Sequence, residues 1–167
     1  MKPRIRPAVP ADARRIAELA NLLSVNEGLG PDVFSEAIVL RDGFGETPAF
    51  SVLLAESGGE IVGYALFTDG YNTDIAARSV FLEDIFVVEP ARGRGVGRRL
   101  FVAVARAAVG RGASSLWWGV RSSNRRARDF YGRLGAVDED ARILQFDGER
   151  LAALAAEDQN SRSNTTG

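Results

Sequence analysis

The stretch from Ser79 to Arg111 constrains this chain more than any other. Ser79–Val88 reads as a strand suited to burial on both faces, and Arg92-Gly93-Arg94-Gly95-Val96-Gly97 joins it to an apolar helix over Gly97–Arg111. A helix that opens on such a loop leaves its first N–H groups without intrahelical partners, and its dipole makes the same end positive. Three glycines allow close approach of the backbone, and arginines crowd the loop, so the expected ligand is an anion of pyrophosphate type. Two common phosphate loops are excluded. No Gly-Lys-Ser/Thr follows, the spacing is G-x-G-x-G rather than G-x-G-x-x-G, and no acid stands about 20 residues downstream. The competing reading is a plain glycine-rich connection.

Hydrophobic periodicity supplies the rest of the chain. Arg4–Pro7 reads as a short strand, and Asp12 as the cap of a helix carrying Ile16, Leu19, Ala20, Leu22 and Leu23, ended by Gly28 and Gly30-Pro31. Asp32 is the expected cap of a second helix with Val33, Ala37, Ile38 and Leu40, stopped by Asp42-Gly43-Phe44-Gly45-Glu46. Strands Phe50–Glu56 and Ile61–Thr68 form a hairpin through Ser57-Gly58-Gly59-Glu60, and a loop over Asp69–Ala77 leads into the strand at Ser79. After the long helix come a strand at Ser115–Val120, a helix opened by Asn124 and closed by Gly135, a strand at Arg142–Phe146 and a short helix at Gly148–Glu157. There are no internal repeats. Neighbouring strands followed by a strand–loop–helix–strand–helix unit predict an α/β (α+β) domain, a mixed sheet with helices on both faces. At 167 residues the chain suits one domain, residues 1–157, with a polar, disordered tail over 158–167.

The chain contains neither Cys nor His, which excludes thiol nucleophiles, Ser-His-Asp triads, His proton shuttles and nearly every zinc or copper site. No metal is expected. Charge is unevenly spread: ten arginines and no acid lie between Glu89 and Asp129, in a chain whose net charge is −1. An anionic ligand in the basic third and a cationic one against the acidic remainder would fit this polarity, and so would a nucleic-acid binder or a solvated arginine-rich face. Against nucleic acid, the arginines are not interleaved with exposed aromatics and the rest of the chain is acidic. No apolar run approaches the roughly 20 residues of a membrane span, and MKPRIRPAVP lacks a secretory apolar core. The expected setting is cytoplasmic, away from membranes.

Arg92, Gly95 and Gly97 after a strand form Arg-x-x-Gly-x-Gly, and Asn124-Arg125-Arg126-Ala127-Arg128-Asp129-Phe130-Tyr131-Gly132-Arg133-Leu134-Gly135-Ala136 forms N-x-x-A-x-x-F-Y-x-x-x-G-A. Together these resemble the two signatures of the GNAT N-acetyltransferases. Ile5-Arg6-Pro7-Ala8, Asp42-Gly43-Phe44-Gly45-Glu46 and Phe81-Leu82-Glu83-Asp84-Ile85-Phe86-Val87 make the likeness closest to the diamine (spermidine/spermine) and thialysine acetyltransferases, over roughly residues 4–155. The resemblance implies a three-layer αβα domain with a mixed, mostly antiparallel sheet, acetyl-CoA as co-substrate, a small cationic amine as acceptor, and a homodimer. It places the pyrophosphate on Arg92, Gly93, Arg94, Gly95, Val96, Gly97 and Arg98. The pantetheine pairs with the backbone of Ile85, Phe86 and Val87, and Asn124, Ala127 and Tyr131 line the thiol end. Glu27, Glu83 and Trp117 belong to the acceptor side. Asn26 and Ala141 stand where these enzymes tend to carry aromatics, so the choice among amines stays open.

The chemistry of such a site asks for particular groups. An amine with a pKa of about 10.4 arrives protonated and must lose that proton before it can attack a thioester. Glu83 is the general-base candidate, with structural pairing as the alternative. Period two sets Glu83 with Phe81 and Ile85 on one face and Asp84 with Leu82 and Phe86 on the other, so one of the two carboxylates faces the ligand. Tyr131 can protonate the leaving thiolate without a His; otherwise it is a core aromatic beside Phe130. An N–H near Ile85 or Phe86 could polarise the acetyl carbonyl. Of Trp117 and Trp118, one should enter the core and one the cleft. A non-catalytic acyl-CoA-binding module is the alternative outside enzymology, and an amino acid, an antibiotic-like compound or a protein amine are the alternative acceptors.

Overall fold

Glycine turns and apolar alternation build the sheet from neighbours in the chain. Left-handed Gly58 and Gly59 turn Ser51–Ser57 (β2) into Glu60–Asn72 (β3), and both outer pairs of this hairpin are antiparallel, to Arg4–Pro7 (β1) and to Ala77–Val87 (β4). Ser115–Trp118 (β5) then lies parallel to β4, giving the order β1-β2-β3-β4-β5. The sheet is mixed and mostly antiparallel. The structure is a computed structural model and describes residues 2–161.

Helices cover both faces. Ala13–Asn26 (α1) and Glu36–Phe44 (α2) pack Ile16, Leu19, Ala20 and Val39 against Val52, Leu54, Tyr64, Leu66 and Phe86. On the opposite face Val96–Gly110 (α3) packs Leu100, Val104 and Ala108 against Ala65, Phe67, Val80 and Leu82. The helix spacing that placed apolar residues at every third or fourth position is therefore what buries each helix on its sheet face. The result is a three-layer α/β architecture.

Several local expectations change. Asp12 stands at the N-cap of α1 but does not cap it: its carboxylate accepts from Arg6 at 2.6 and 2.9 Å and from the Val9 N–H at 2.8 Å. A bidentate arginine outcompetes a helix N–H for the same oxygens. Ser35, rather than Asp32, caps α2 by accepting from Ile38 N–H at 3.2 Å. The loop expected over 69–77 shrinks to residues 73–76 because β3 and β4 continue to pair through Asn72↔Ala77.

Contacts divide the chain into two compact units, Met1–Gly119 and Val120–Gly167. The second contains Arg125–Arg133 (α4), capped by Asn124, and Gly148–Ser161 (α5). Residues 142–146, expected as a strand, carry no strand, because among the described residues no other strand pairs with them; Ile143, Leu144 and Phe146 are exposed. Helix α5 runs to Ser161, past the expected end at Glu157, and the rest of the expected disordered tail, 162–167, lies outside the described residues.

Candidate active site

The β3–β4 ladder slips by one residue in the middle of the sheet. Leu66 faces Asp84 while Phe67 faces Leu82, so Glu83 is the extra residue of a β-bulge. The bulge resets the alternation of β4. Val80 and Leu82 lie on the α3 face together with Ile85 and Val87, whereas Phe86 joins the α1 face. The strict period-two expectation is thus corrected: Asp84 does not share a face with Leu82, and both carboxylates turn to one side. Thr68, on the Tyr64–Leu66 face of β3, donates its hydroxyl to Glu83 at 2.9 Å, and the Tyr64 hydroxyl donates to Asp84 Oδ2 at 2.9 Å.

Glu83 is exposed at the bulge, and Asp84 is half-buried beside it. Burial holds the Asp84 carboxyl above its ordinary range, the Tyr64 hydrogen bond pulls the other way, and the charges of Glu27 and Glu83 push it further up. Glu27 sits just past the end of α1 and is exposed, so α1 delivers a third carboxylate to the same side of the sheet. The row Thr68–Phe81–Trp117 crosses β3, β4 and β5 next to these acids. Trp117 is 37% exposed and its indole N–H donates to Ser115 Oγ at 3.0 Å, while Trp118 enters the core edge-on to Phe101. The two tryptophans split as their alternation requires. The arrangement is an acidic patch with an aromatic wall, suited to a cationic ligand.

The other half of the site is the end of β4. Pairing with β5 stops at Leu82↔Trp118, so among the described residues the outer edge of Ile85–Val87 has no strand beside it. Arg92 braces this edge: its Nε donates to the Val87 carbonyl at 2.8 Å and its guanidinium lies 5.5 Å from the Phe86 ring centre. Gly93 and Gly95 both have left-handed backbone, φ 76° and 77°, which turns the chain so that α3 begins without a side-chain cap. Arg94, Arg98 and Arg99 are exposed around that end. A strand edge with no neighbouring strand offers amide pairing beyond the Val87 carbonyl that Arg92 occupies, and an uncapped helix start ringed by arginines offers a seat for an anion. Ile85, Phe86 and Val87 thus lead directly into the loop and helix start that carry Arg92–Arg98.

In the second unit, the Asn124 side chain accepts from Ala127 N–H at 3.1 Å and so fixes the start of α4. Tyr131 lies on that helix at 9% exposure, edge-on to Phe130 at 5.2 Å, and burial pushes its hydroxyl up to about 12. Left-handed Gly135 ends the helix. Sequence reasoning passed over Tyr64 and gave Asp84 no role. The signal for Asp84 was its place beside Glu83 in an apolar strand; for Tyr64 a hydroxyl on a core position was the only sign.

The acetyltransferase (GNAT) family model matches residues 16–136. The chain is similar to thialysine N-epsilon-acetyltransferase of Bos taurus, 37% identical over 164 residues that cover 90% of this chain and 96% of that protein. It is also similar to L-ornithine N5-acetyltransferase of Arabidopsis thaliana, 36% identical over 95 residues, 56% of this chain and 42% of that protein. Among solved structures, an integron cassette protein from the mobile metagenome of V. cholerae matches in fold with a TM-score of 0.77 at 24% identity, covering 93% of this chain and 98% of that one.

Proposed function

This chain belongs to the GNAT acetyltransferase family and is an acetyltransferase, and we propose that it moves the acetyl group of acetyl-CoA onto a primary amine of a small cationic acceptor, polyamine or lysine-like. The observation that carries this reading is the edge of Ile85–Val87, with no strand beside it among the described residues, running into the uncapped start of α3, with Glu83 and Asp84 on the same strand. Names of relatives support the acceptor class, since thialysine and ornithine both end in a primary amine.

Acetyl-CoA brings the acetyl group already activated as a thioester. In this reading the N–H groups around Gly93–Arg98 would hold its diphosphate, and the backbone of Ile85–Val87 its pantetheine amides. Glu83, directly or through a water, takes a proton from the acceptor ammonium. The freed nitrogen lone pair then bonds to the acetyl carbon as the carbon–sulfur bond breaks, while an N–H near Ile85 or Phe86 steadies the carbonyl oxygen. The acylated nitrogen sheds its remaining extra proton to solvent, and Tyr131, kept protonated by its burial, gives its proton to the departing sulfur and regains one from solvent. Asn124 and Ala127 are assigned to the thiol end, and Glu27, Asp84 and Trp117 to the acceptor. With no Cys in the chain, no acetyl-cysteine forms. The same reading makes the protein a cytoplasmic homodimer acting on a small molecule rather than on nucleic acid or at a membrane; a monomeric mass in light scattering would remove the dimer.

The test is thiol release from acetyl-CoA with spermidine, spermine, putrescine, lysine, thialysine, ornithine and a peptide amine. Turnover of at least one cationic amine is expected, falling about 100-fold or more in Glu83→Gln and in Tyr131→Phe, the usual cost of losing a positioned acid or base. Wild-type rates in Glu83→Gln would remove it as the base.

A further inference from the structure

A tyrosine with 0% exposure sits in the α1-side core beneath the acceptor face, and its hydroxyl is the feature that packing does not explain. Tyr64 packs there with Leu54, Leu66 and Phe86, neighbours that a phenylalanine would satisfy equally well. A buried hydroxyl is costly unless it is hydrogen-bonded, and this one reaches Asp84 Oδ2 at 2.9 Å. One carboxylate oxygen of Asp84, Oδ2, is thus held by a hydroxyl that belongs to the core, while the residue itself is only half-buried.

We propose that Tyr64 is a positioning residue for the acceptor amine, its enclosed hydroxyl holding Asp84 as an oriented carboxylate against which the acceptor's ammonium group docks. The assignment rests on the acetyl-transfer reading given above. The titratable groups facing Asp84 are Tyr64 from β3, Glu27 from the end of α1 and its neighbour Glu83 on β4. Glu27, Glu83 and burial all favour the neutral acid, which cannot pair with a cation. The Tyr64 O–H is the one protein group among these that favours the anion. It therefore sets how far into acid the site still binds a cation, and it does so without touching the reacting atoms. Tyr64 itself stays protonated, because burial and the Asp84 charge both raise its hydroxyl.

Tyr64→Phe removes the one oxygen and keeps the ring. Two measurements decide the assignment: the pH titration of the Asp84 side-chain carbon by 13C NMR, and the pH profile of kcat/KM for whichever cationic amine the wild type turns over. In the variant the Asp84 titration is expected to move to higher pH. The acid limb of kcat/KM for the amine should follow it, with about a five- to ten-fold loss near that limb, partial recovery at higher pH and an unchanged KM for acetyl-CoA. An unchanged Asp84 titration overturns the assignment, and so does a shifted titration with an unmoved acid limb; in both cases acetyl transfer itself stands. A pH-independent loss marks a merely structural tyrosine and also overturns it. If the wild type acetylates no cationic amine, the acceptor reading fails and this assignment fails with it.

Discussion

Replacing Gly63 by alanine puts a methyl group from β3 against the backbone of β4. The new Cβ would lie 2.6 Å from the Phe86 carbonyl oxygen, 3.2 Å from Val87 Cγ2 and 3.3 Å from Val87 Cα. Ordinary contact begins near 3.4 Å, so β4 must retreat by about 0.8 Å at Phe86. The obstacle is backbone in the middle of a ladder, with Gly63 paired to Val87, and cannot turn aside as a side chain can. Overpacking of this kind costs about 1–3 kcal/mol, against ~0.4–1 kcal/mol gained by restricting the unfolded chain. The net loss of about 1–2 kcal/mol corresponds to a drop in Tm of roughly 2–8 °C for a protein of this size. The same movement displaces the strand edge assigned to the pantetheine, so KM for acetyl-CoA should rise several-fold more than KM for the amine. Gly70→Ala is the control on the same two strands: its Cβ would meet Ser79 Oγ at 3.0 Å, a hydroxyl that can rotate away. Thermal melts and two-substrate kinetics on both variants decide the matter. A Gly63→Ala protein that melts at or above the wild type, or a Gly70→Ala protein that falls as far, would refute the reasoning.

Asp84→Asn should separate stability from function. A carboxyl whose folded-state value is raised stabilises the fold while protonated, and that contribution is lost as pH rises through the raised value. The variant should therefore melt about 2–4 °C higher than wild type near neutral pH, for relief on the order of 1 kcal/mol, with no gain near pH 3 and much weaker acceptor binding. Arg92→Lys removes the Nε bond to the Val87 carbonyl and the plane over Phe86, and should lower stability by about 1–2 kcal/mol while raising KM for acetyl-CoA rather than for the amine. Tyr131, with its hydroxyl at about 12, gives no alkaline limb within the working range, so any fall in kcat below pH 10 should keep its midpoint in the residual activity of Tyr131→Phe.

Legibility in the sequence follows the range of the forces involved. The start of α3 and the arginines around it are local matters, set by left-handed Gly93 and Gly95, by arginines at fixed offsets and by a strand running directly into a helix. The Gly58-Gly59 hairpin, the Asn124 cap and the Trp117–Trp118 split are equally local, and each was readable from a few neighbouring residues. Where a local signal failed, the presence or absence of a partner from another element decided. Arg6, arriving from β1, takes Asp12 away from capping α1, and residues 142–146 have strand composition without a strand to pair with.

The acidic face of the sheet is the clearest case. Composition alone excludes thiol and imidazole chemistry, because Cys and His are absent, and the motifs pointed to one strand and one loop, which the structure joins end to end. Only the tertiary structure decided that Glu83 bulges out of the ladder, that Asp84 consequently shares a side with it, and that Tyr64 holds Asp84 from within the core. A bulge is a property of two strands in register, and a buried carboxylate's ionisation depends on every charge around it. Neither is written in the residues that flank it.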